Sequence, residues 1–481
     1  MTHRPLALAT GLMLLPGCLV SHTRIPAKER PSVAPAPEPR TGGVPLAPSR
    51  TRPLHRELLA IDLPTAARLV LARNPDIERA RARVEGTRGR LESAEGALLP
   101  VLAPGLLFEW VDGGVRATEG NIVDVGFHSF TPFVAVQWVL NPGKVVYDLV
   151  AARKRFLSAQ YEERAVVQEE LKTAALQFYG LLLAQARVDA ATQALAEGDE
   201  SLRVARARRQ AGLALPAEEL RAEAEAAARR QDVTMEMQGF YEASVALALT
   251  LHLHPVVTLV PRAERLDPAP LVREDLPLDD LLALAVEHRD DLQAVRVLLE
   301  AAAAERSAAG WGALGPEAGA AYQVGGIMGR AQDVGSPPRD ETFGLRDQER
   351  FTAGARWRLG LSSLGDLRQA RSAERHVALE ATRKLDEVRA GVALHWQESR
   401  AQRQLVGEAE RQVGSAEEAL RLARAHHAAG AMTSLDVLQA QTAAAEARSR
   451  HIHALVGYNR AQVALLAALG LLEARSLGAE D

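Results

Sequence analysis

The chain alternates between two hydrophobic rhythms. Long stretches repeat apolar residues with the three-and-four spacing of a helix that buries one face. Four short stretches instead alternate apolar with polar or small residues: "LLFEW" (106–110), "FVAVQWVL" (133–140), "AAYQV" (320–324) and "FTAGARWRL" (351–359). That is the period of a half-buried strand. The rhythms come in a fixed order, and the order occurs twice. A helix is expected from about 64 to 98 and again from about 278 to 313. Each ends in a proline-marked break, "LLPVLAPG" (98–105) and "LGPEAG" (314–319). Two strands around a polar, Gly-rich loop follow, then a helix of roughly 60 residues and a return helix of roughly 40.

The duplication is visible residue by residue. "IDLPTAARLVLARNPDI" (61–77) lies over "LPLDDLLALAVEHRDDL" (276–292), with Ile61, Leu63, Leu69 and Ile77 matching Leu276, Leu278, Leu284 and Leu292. "ESLRVARARRQAG" (200–212) aligns without gaps to "EALRLARAHHAAG" (418–430). Each of these segments ends on a glycine that can take the left-handed conformation closing a helix. In the first copy Pro216 opens the next helix, where its missing N–H costs nothing. In the second, "AGAMTSLDVLQAQ" (429–441) offers Thr433 as a cap with Asp436 in capping-box position. Both read as tips of helical hairpins.

A helix of about 60 residues is roughly 90 Å long, more than a globular domain needs. Leu171, Ala175, Phe178 and Leu182 follow the spacing of a coiled-coil seam. Composition agrees: 47% of residues are hydrophobic but only 4% aromatic, so Ala, Leu and Val dominate and helices can approach closely. A net charge of −4, without a basic patch interleaved with aromatics, argues against nucleic acid.

The N-terminus changes where this architecture must live. His3 and Arg4, an apolar core, then Gly17 and the single cysteine, Cys18, in "LALATGLMLLPGC", have the layout of an export signal. Residues 1–17 are read as the signal, 18–56 as a Pro-rich tether, 57–265 and 266–475 as the two repeats, and 476–481 as a tail. The strands are placed at about 101–110, 132–140, 318–324 and 351–360. No other run is apolar and long enough for a spanning helix. Outside the cytoplasm, strands cross a bilayer only as a closed barrel, and single-chain barrels start at about eight strands. Four strands therefore imply partners if they are membranous: two chains supply eight strands and three supply twelve.

The signal with Cys18, the tandem halves, "LARNPDIERA" (71–80), "LLP" before the first strand and, most specifically, "AGAMTSLDVLQAQ" resemble TolC-family outer-membrane efflux lipoproteins. The resemblance covers residues 57 to 472. It implies a mainly α fold with a small β part: two tandem repeats of long antiparallel coiled-coil helices plus four membrane strands. It further implies a homotrimer, with a twelve-stranded barrel in the outer membrane continued by an α-helical tunnel into the periplasm. Cys18 would carry the lipid that anchors the mature chain. The function implied is a passive exit duct of a tripartite efflux or secretion system, served by a periplasmic membrane-fusion adaptor and an inner-membrane pump.

On this resemblance the tips, with Gly212, Leu213, Gly430, Ala431, Thr433 and Ser434, would dock the adaptor. Asp436 would form a three-fold carboxylate gate at the periplasmic mouth, with Glu218 in the matching first-half position. No cofactor is expected. "HRDDL" (288–292) has the look of a kinase catalytic loop but has no phosphate loop beside it. His252, His254, His426 and His427 lack a third ligand at metal spacing and are read as structural or solvated. No enzymatic signature is present. The rival readings are a periplasmic coiled-coil adaptor, which has one hairpin and a separate small β-domain, and a structural envelope lipoprotein.

Overall fold

The computed structural model describes residues 44–45, 58–116, 118, 120–212, 215–262, 265–330, 345–358, 360–429 and 431–479. Cys18, nearly all of the tether, Leu213 and Gly430 lie outside them, as does the side chain of Ser434.

In chain order the elements are β1 (Val44–Pro45), β2 (Leu58–Ile61), α1 (Leu63–Arg73), α2 (Pro75–Gly96), β3 (Val101–Arg116), β4 (Ile122–Leu140), α3 (Pro142–Gln210), α4 (Pro216–Thr250), β5 (Thr258–Pro261), β6 (Arg265–Leu266), α5 (Leu278–His288), α6 (Asp290–Leu314), β7 (Glu317–Arg330), β8 (Leu345–Arg356), α7 (Leu361–Ala428) and α8 (Ser434–Ala468). A 3-10 turn (Ala474–Leu477) follows. The duplication extends to lengths: α3 and α7 have 69 and 68 residues, α4 and α8 have 35 each.

The helices expected over 64–98 and 278–313 are not continuous. Each is broken after 11 residues. In the first, Pro75 cannot donate to the preceding turn, and Asn74 takes over as cap. Its Oδ1 accepts from Asp76 N at 2.7 Å and Ile77 N at 3.4 Å, while Nδ2 donates to Glu170 at 2.6 Å. In the second, no proline is present and the break falls at Arg289.

Two compact units divide the chain, and each draws on both repeats. The first holds residues 84–159 and 295–381. Its centre is one antiparallel sheet in the order β3-β4-β7-β8. β3 and β7 run on into Gly-rich sequence, β4 begins ten residues before the expected 132, and β8 begins at Leu345 and ends at Arg356, short of the expected 360. Leu91, Leu149 and Phe156 form its small helical core. Ion pairs lash neighbouring helices: Lys154–Glu300 at 2.5 Å, Arg155–Glu305 at 2.6 Å and Arg306–Glu374 at 3.0 Å. Asn141 caps α3 by accepting from Lys144 N at 3.0 Å and donates to the Trp311 carbonyl at 2.9 Å.

The second unit takes residues 58–83, 160–294 and 382–479 of those described, together with β1. It contains the main core, where Leu171, Ala175, Phe178 and Leu182 are all at most 4% exposed, so the seam expected from their spacing is buried. Two small sheets, β1 antiparallel to β6 and β2 parallel to β5, flank this core. The segment joining the repeats is fastened to α8. Asn459 accepts from Ala269 N at 2.8 Å and donates to the Asp267 carbonyl at 2.9 Å. Gln462 accepts from Leu271 N at 3.0 Å and Val272 N at 2.9 Å, and donates to Ser399 at 2.8 Å. Both amides are buried, and saturating them satisfies a loop that has no ladder of its own.

Candidate functional site: sheet face and hairpin tips

Strand register assigns side chains to faces, because successive residues point to opposite sides. On one face lie Leu102, Leu106, Phe108 and Trp110 of β3, Val134, Val136 and Trp138 of β4, Tyr322 and Val324 of β7 and Phe351 of β8, with the carboxylates Asp347 and Glu349 toward the loop end of β8. All ten of the large apolar residues are at least 40% exposed in the single chain. The other face carries Glu109, Ser129, Thr131, Gln137, Gln323, Gln348, Arg350 and Thr352, with Leu107, Phe133 and Ile327 among them. Water would not tolerate an apolar sheet face of that extent uncovered. One face of the sheet is thus largely apolar and uncovered in the single chain, and the other is largely polar. β3 and β8 are its two edges. They run antiparallel to each other, so β8 of one sheet can pair with β3 of an identical one.

The hairpin tips belong to the second unit. Gly212 has φ +71°, a backbone angle that disfavours any side chain. Its N–H donates to the Arg209 carbonyl at 2.9 Å. Leu215 occupies the N-cap of α4 without a side-chain bond, and Pro216 starts the helix. Glu218 N donates to the Leu215 carbonyl at 3.0 Å, and Glu218 lines the cavity between the hairpins. Its neighbour Glu219 is the residue held by charge: Arg209 bonds it at 2.5 Å and Arg206 at 3.4 Å. The Arg209 bond and charge keep its carboxyl below the usual range.

The second tip is capped. Thr433 Oγ1 accepts from Asp436 N at 3.3 Å, and Asp436 Oδ2 accepts from Thr433 N at 2.8 Å and from its hydroxyl at 2.7 Å. The Thr433 hydroxyl and backbone bonds lower the Asp436 carboxyl from its ordinary value, so it is ionised at neutral pH. Ala431 N donates to the His426 carbonyl at 2.8 Å.

Between the hairpins lies a cavity of about 640 Å³, walled by Val204 and Arg208 of α3, Glu218 of α4, His427 of α7, and Leu435 and Leu438 of α8. Arg208 meets His427 Nε2 at 3.1 Å. Farther from the tips Glu197 of α3 takes Arg424 of α7 at 3.3 Å and Arg448 of α8 at 3.5 Å. His252 adopts φ +52° in the turn after α4, and His254 Nδ1 accepts from Val256 N at 3.3 Å. Among the described residues no three His, Cys, Asp or Glu side chains converge as a metal site, and no helix is long and apolar enough to cross a membrane.

Sequence reasoning missed the ionic clamp at the second break. Asp291 pairs with Arg289 at 2.5 Å and with Lys384 of α7 at 3.0 Å. Burial pushes its carboxyl up, but the Arg289 bond and charge, reinforced by Lys384, bring it down to about 2. The decoy motif "HRDDL" is therefore a helix junction.

An independent comparison agrees with this geometry. Residues 66–251 match the family model described as outer membrane efflux protein. The likeness to that family rests on this segment of the first repeat. Solved structures extend the fold likeness beyond that segment. VceC from Vibrio cholerae is 20% identical, covering 85% of this chain and 96% of its own, with a TM-score of 0.71. The Campylobacter jejuni CmeC outer membrane channel is 15% identical over 91% and 94%, with a TM-score of 0.72. The open-state MtrE outer membrane channel of Neisseria gonorrhoeae is 19% identical over 94% and 99%, with a TM-score of 0.66. Curated protein sequences offer no match. At these identities the likeness is one of fold, and it extends over both repeats of this chain.

Proposed function

We propose that this chain is the outer-membrane channel of a tripartite efflux or secretion system, a passive exit duct from the periplasm to the exterior. The uncovered apolar face of the sheet carries the reading. An apolar face of ten exposed side chains suits lipid, and two antiparallel edges suit closure with further copies. Three copies give a twelve-stranded barrel, a homotrimer lying in outer-membrane lipid. Two hairpins and one joined sheet favour this over an adaptor, which has a single hairpin and a separate β-domain. A structural envelope lipoprotein would not need an apolar sheet face.

The tips around Gly212, Leu213, Gly430, Ala431, Thr433 and Ser434 are the docking end for the periplasmic adaptor and, through it, the inner-membrane pump. Asp436 supplies one carboxylate per subunit to a ring at the mouth, with Glu218 as the weaker first-half counterpart; like charges facing one another there bind multivalent cations. Cys18 carries the lipid.

Outer-membrane extract run unheated on a denaturing gel should show a trimer that collapses to a monomer on boiling. A monomer under all conditions overturns the barrel. In planar bilayers the trimer should conduct, with block by divalent or trivalent cations that Asp436→Ala weakens; unchanged block removes the gate. Radioactive fatty acid should label the wild type and not Cys18→Ala.

A further inference from the structure

Two arginines of α3 bind histidines of the second hairpin in the same unusual way. Arg208 reaches His427 Nε2 of α7 at 3.1 Å. Arg187 reaches His453 Nε2 of α8, with Nη2 at 2.7 Å and Nε at 3.0 Å. A guanidinium has donors only and does not deprotonate. In both contacts, therefore, the imidazole nitrogen is the acceptor and must be free of a proton. Each pair holds only while its histidine is neutral, and protonation turns a hydrogen bond into a contact between two cations.

The charged surroundings of each histidine are mixed. His453 sees Arg187 of α3 and Glu236 of α4. Burial and Arg187 lower its proton affinity, outweighing Glu236. His427 shares the cavity wall with Arg208, Glu197 and Glu200 of α3, Glu218 and Arg221 of α4 and Arg424 of its own helix, while α8 faces it with Leu435, Val437 and Leu438. The contacts sit at two levels along α3, and the cavity beside His427 leaves the hairpins loosely packed there.

We propose that Arg208–His427 and Arg187–His453 form an acid-released latch that holds the second hairpin against α3, so that acidification frees the α7–α8 tip. The latch holds while the imidazoles are neutral and is lost on acidification; burial and Arg187 move the His453 end of it below the ordinary histidine range. On the channel reading, on which this rests for its consequence, release widens the periplasmic mouth.

The test separates the two. Spin labels replacing exposed Arg203 of α3 and Glu446 of α8 report hairpin separation whether or not the protein conducts. The wild-type distance distribution should broaden and lengthen between pH 7.5 and 5.5. His427→Gln with His453→Gln, which keeps an acceptor that cannot titrate, should hold the pH 7.5 distribution at both values. His451→Gln, on the same helix without an arginine partner, should respond like the wild type. Bilayer conductance should rise several-fold on acidification in the wild type and stay flat in the double variant. A distance distribution that ignores pH, or one that shifts equally in the double variant, overturns the latch. A pH-dependent distance without any conductance keeps the latch and overturns the channel.

Discussion

The two repeats reach one geometry by different chemistry. At the helix break of the first half, a neutral cap does the work: Asn74 receives two backbone N–H groups and reaches Glu170, and Pro75 enforces the stop. At the break of the second half there is no proline, and charges take over, with Asp291 held between Arg289 and Lys384. The tips invert this contrast. The first has Pro216 and no side-chain cap; the second has a full capping box. What duplication preserved is the position of each break, since helices of matched length have to end at the same level. The side chains that satisfy the freed backbone groups were left to diverge.

If the breaks are the conserved feature, the largest effect should come from the residue on which one of them rests. Gly470 sits at φ +72°, and a Cβ there would lie 2.9 Å from the Arg289 Cα and the His288 carbonyl oxygen. Backbone cannot move aside, so Gly470→Val combines left-handed strain with overpacking. A loss of about 2–5 kcal/mol is expected, read from thermal unfolding of the purified protein; a loss below 1 kcal/mol would mean that the second break tolerates displacement.

The ionic break should differ from the neutral one in its response to acid. Asp291 has a folded value of about 2 against an ordinary 3.8, so its contribution is fully present above 3.8 and disappears as pH falls toward 2. The shift corresponds to about 2 kcal/mol. The stability difference between wild type and Asp291→Asn should therefore shrink from neutral pH to about pH 2. A difference independent of pH would show that packing, not charge, holds this junction.

Asn74→Ala should cost about 1–2 kcal/mol at neutral pH, the loss of a cap, with the added burden of a Glu170 oxygen deprived of its donor. If Asn74→Ala proves neutral in thermal unfolding, Pro75 alone makes the first break. The smallest effects belong to the tips. Thr433→Ala should lower stability by about 1 kcal/mol, and Pro216→Ala by about 0.4–1 kcal/mol through the unfolded chain. Equal losses at both tips would erase the contrast between them.

Much of this was legible beforehand, for a physical reason. The tips were readable because Gly212, Pro216, Thr433 and Asp436 act on their own neighbours within four residues. The coiled-coil seam at Leu171, Ala175, Phe178 and Leu182 was readable because helical period reports burial directly. The breaks at Asn74 and Arg289 were missed because the apolar period continues across them; the Asn74–Pro75 cap is itself a local signal, whereas the Asn74 bond to Glu170, 96 positions away, and the Asp291 bond to Lys384 are not.

The sequence by itself determined the duplication, the helix periods and the hairpin turns, all of which depend on residues close together in the chain. It also determined that four strands would alternate, since alternation is a local property. Only the tertiary structure decided that those strands join as β3-β4-β7-β8, which residues share its apolar face, and that this face is left uncovered in the single chain. The same holds for the clamp of Asn459 and Gln462 on the inter-repeat segment and for the arginine–histidine pairs on α3. Each unites side chains that lie far apart in sequence, and neither periodicity nor propensity carries information about which distant partner a polar atom will meet.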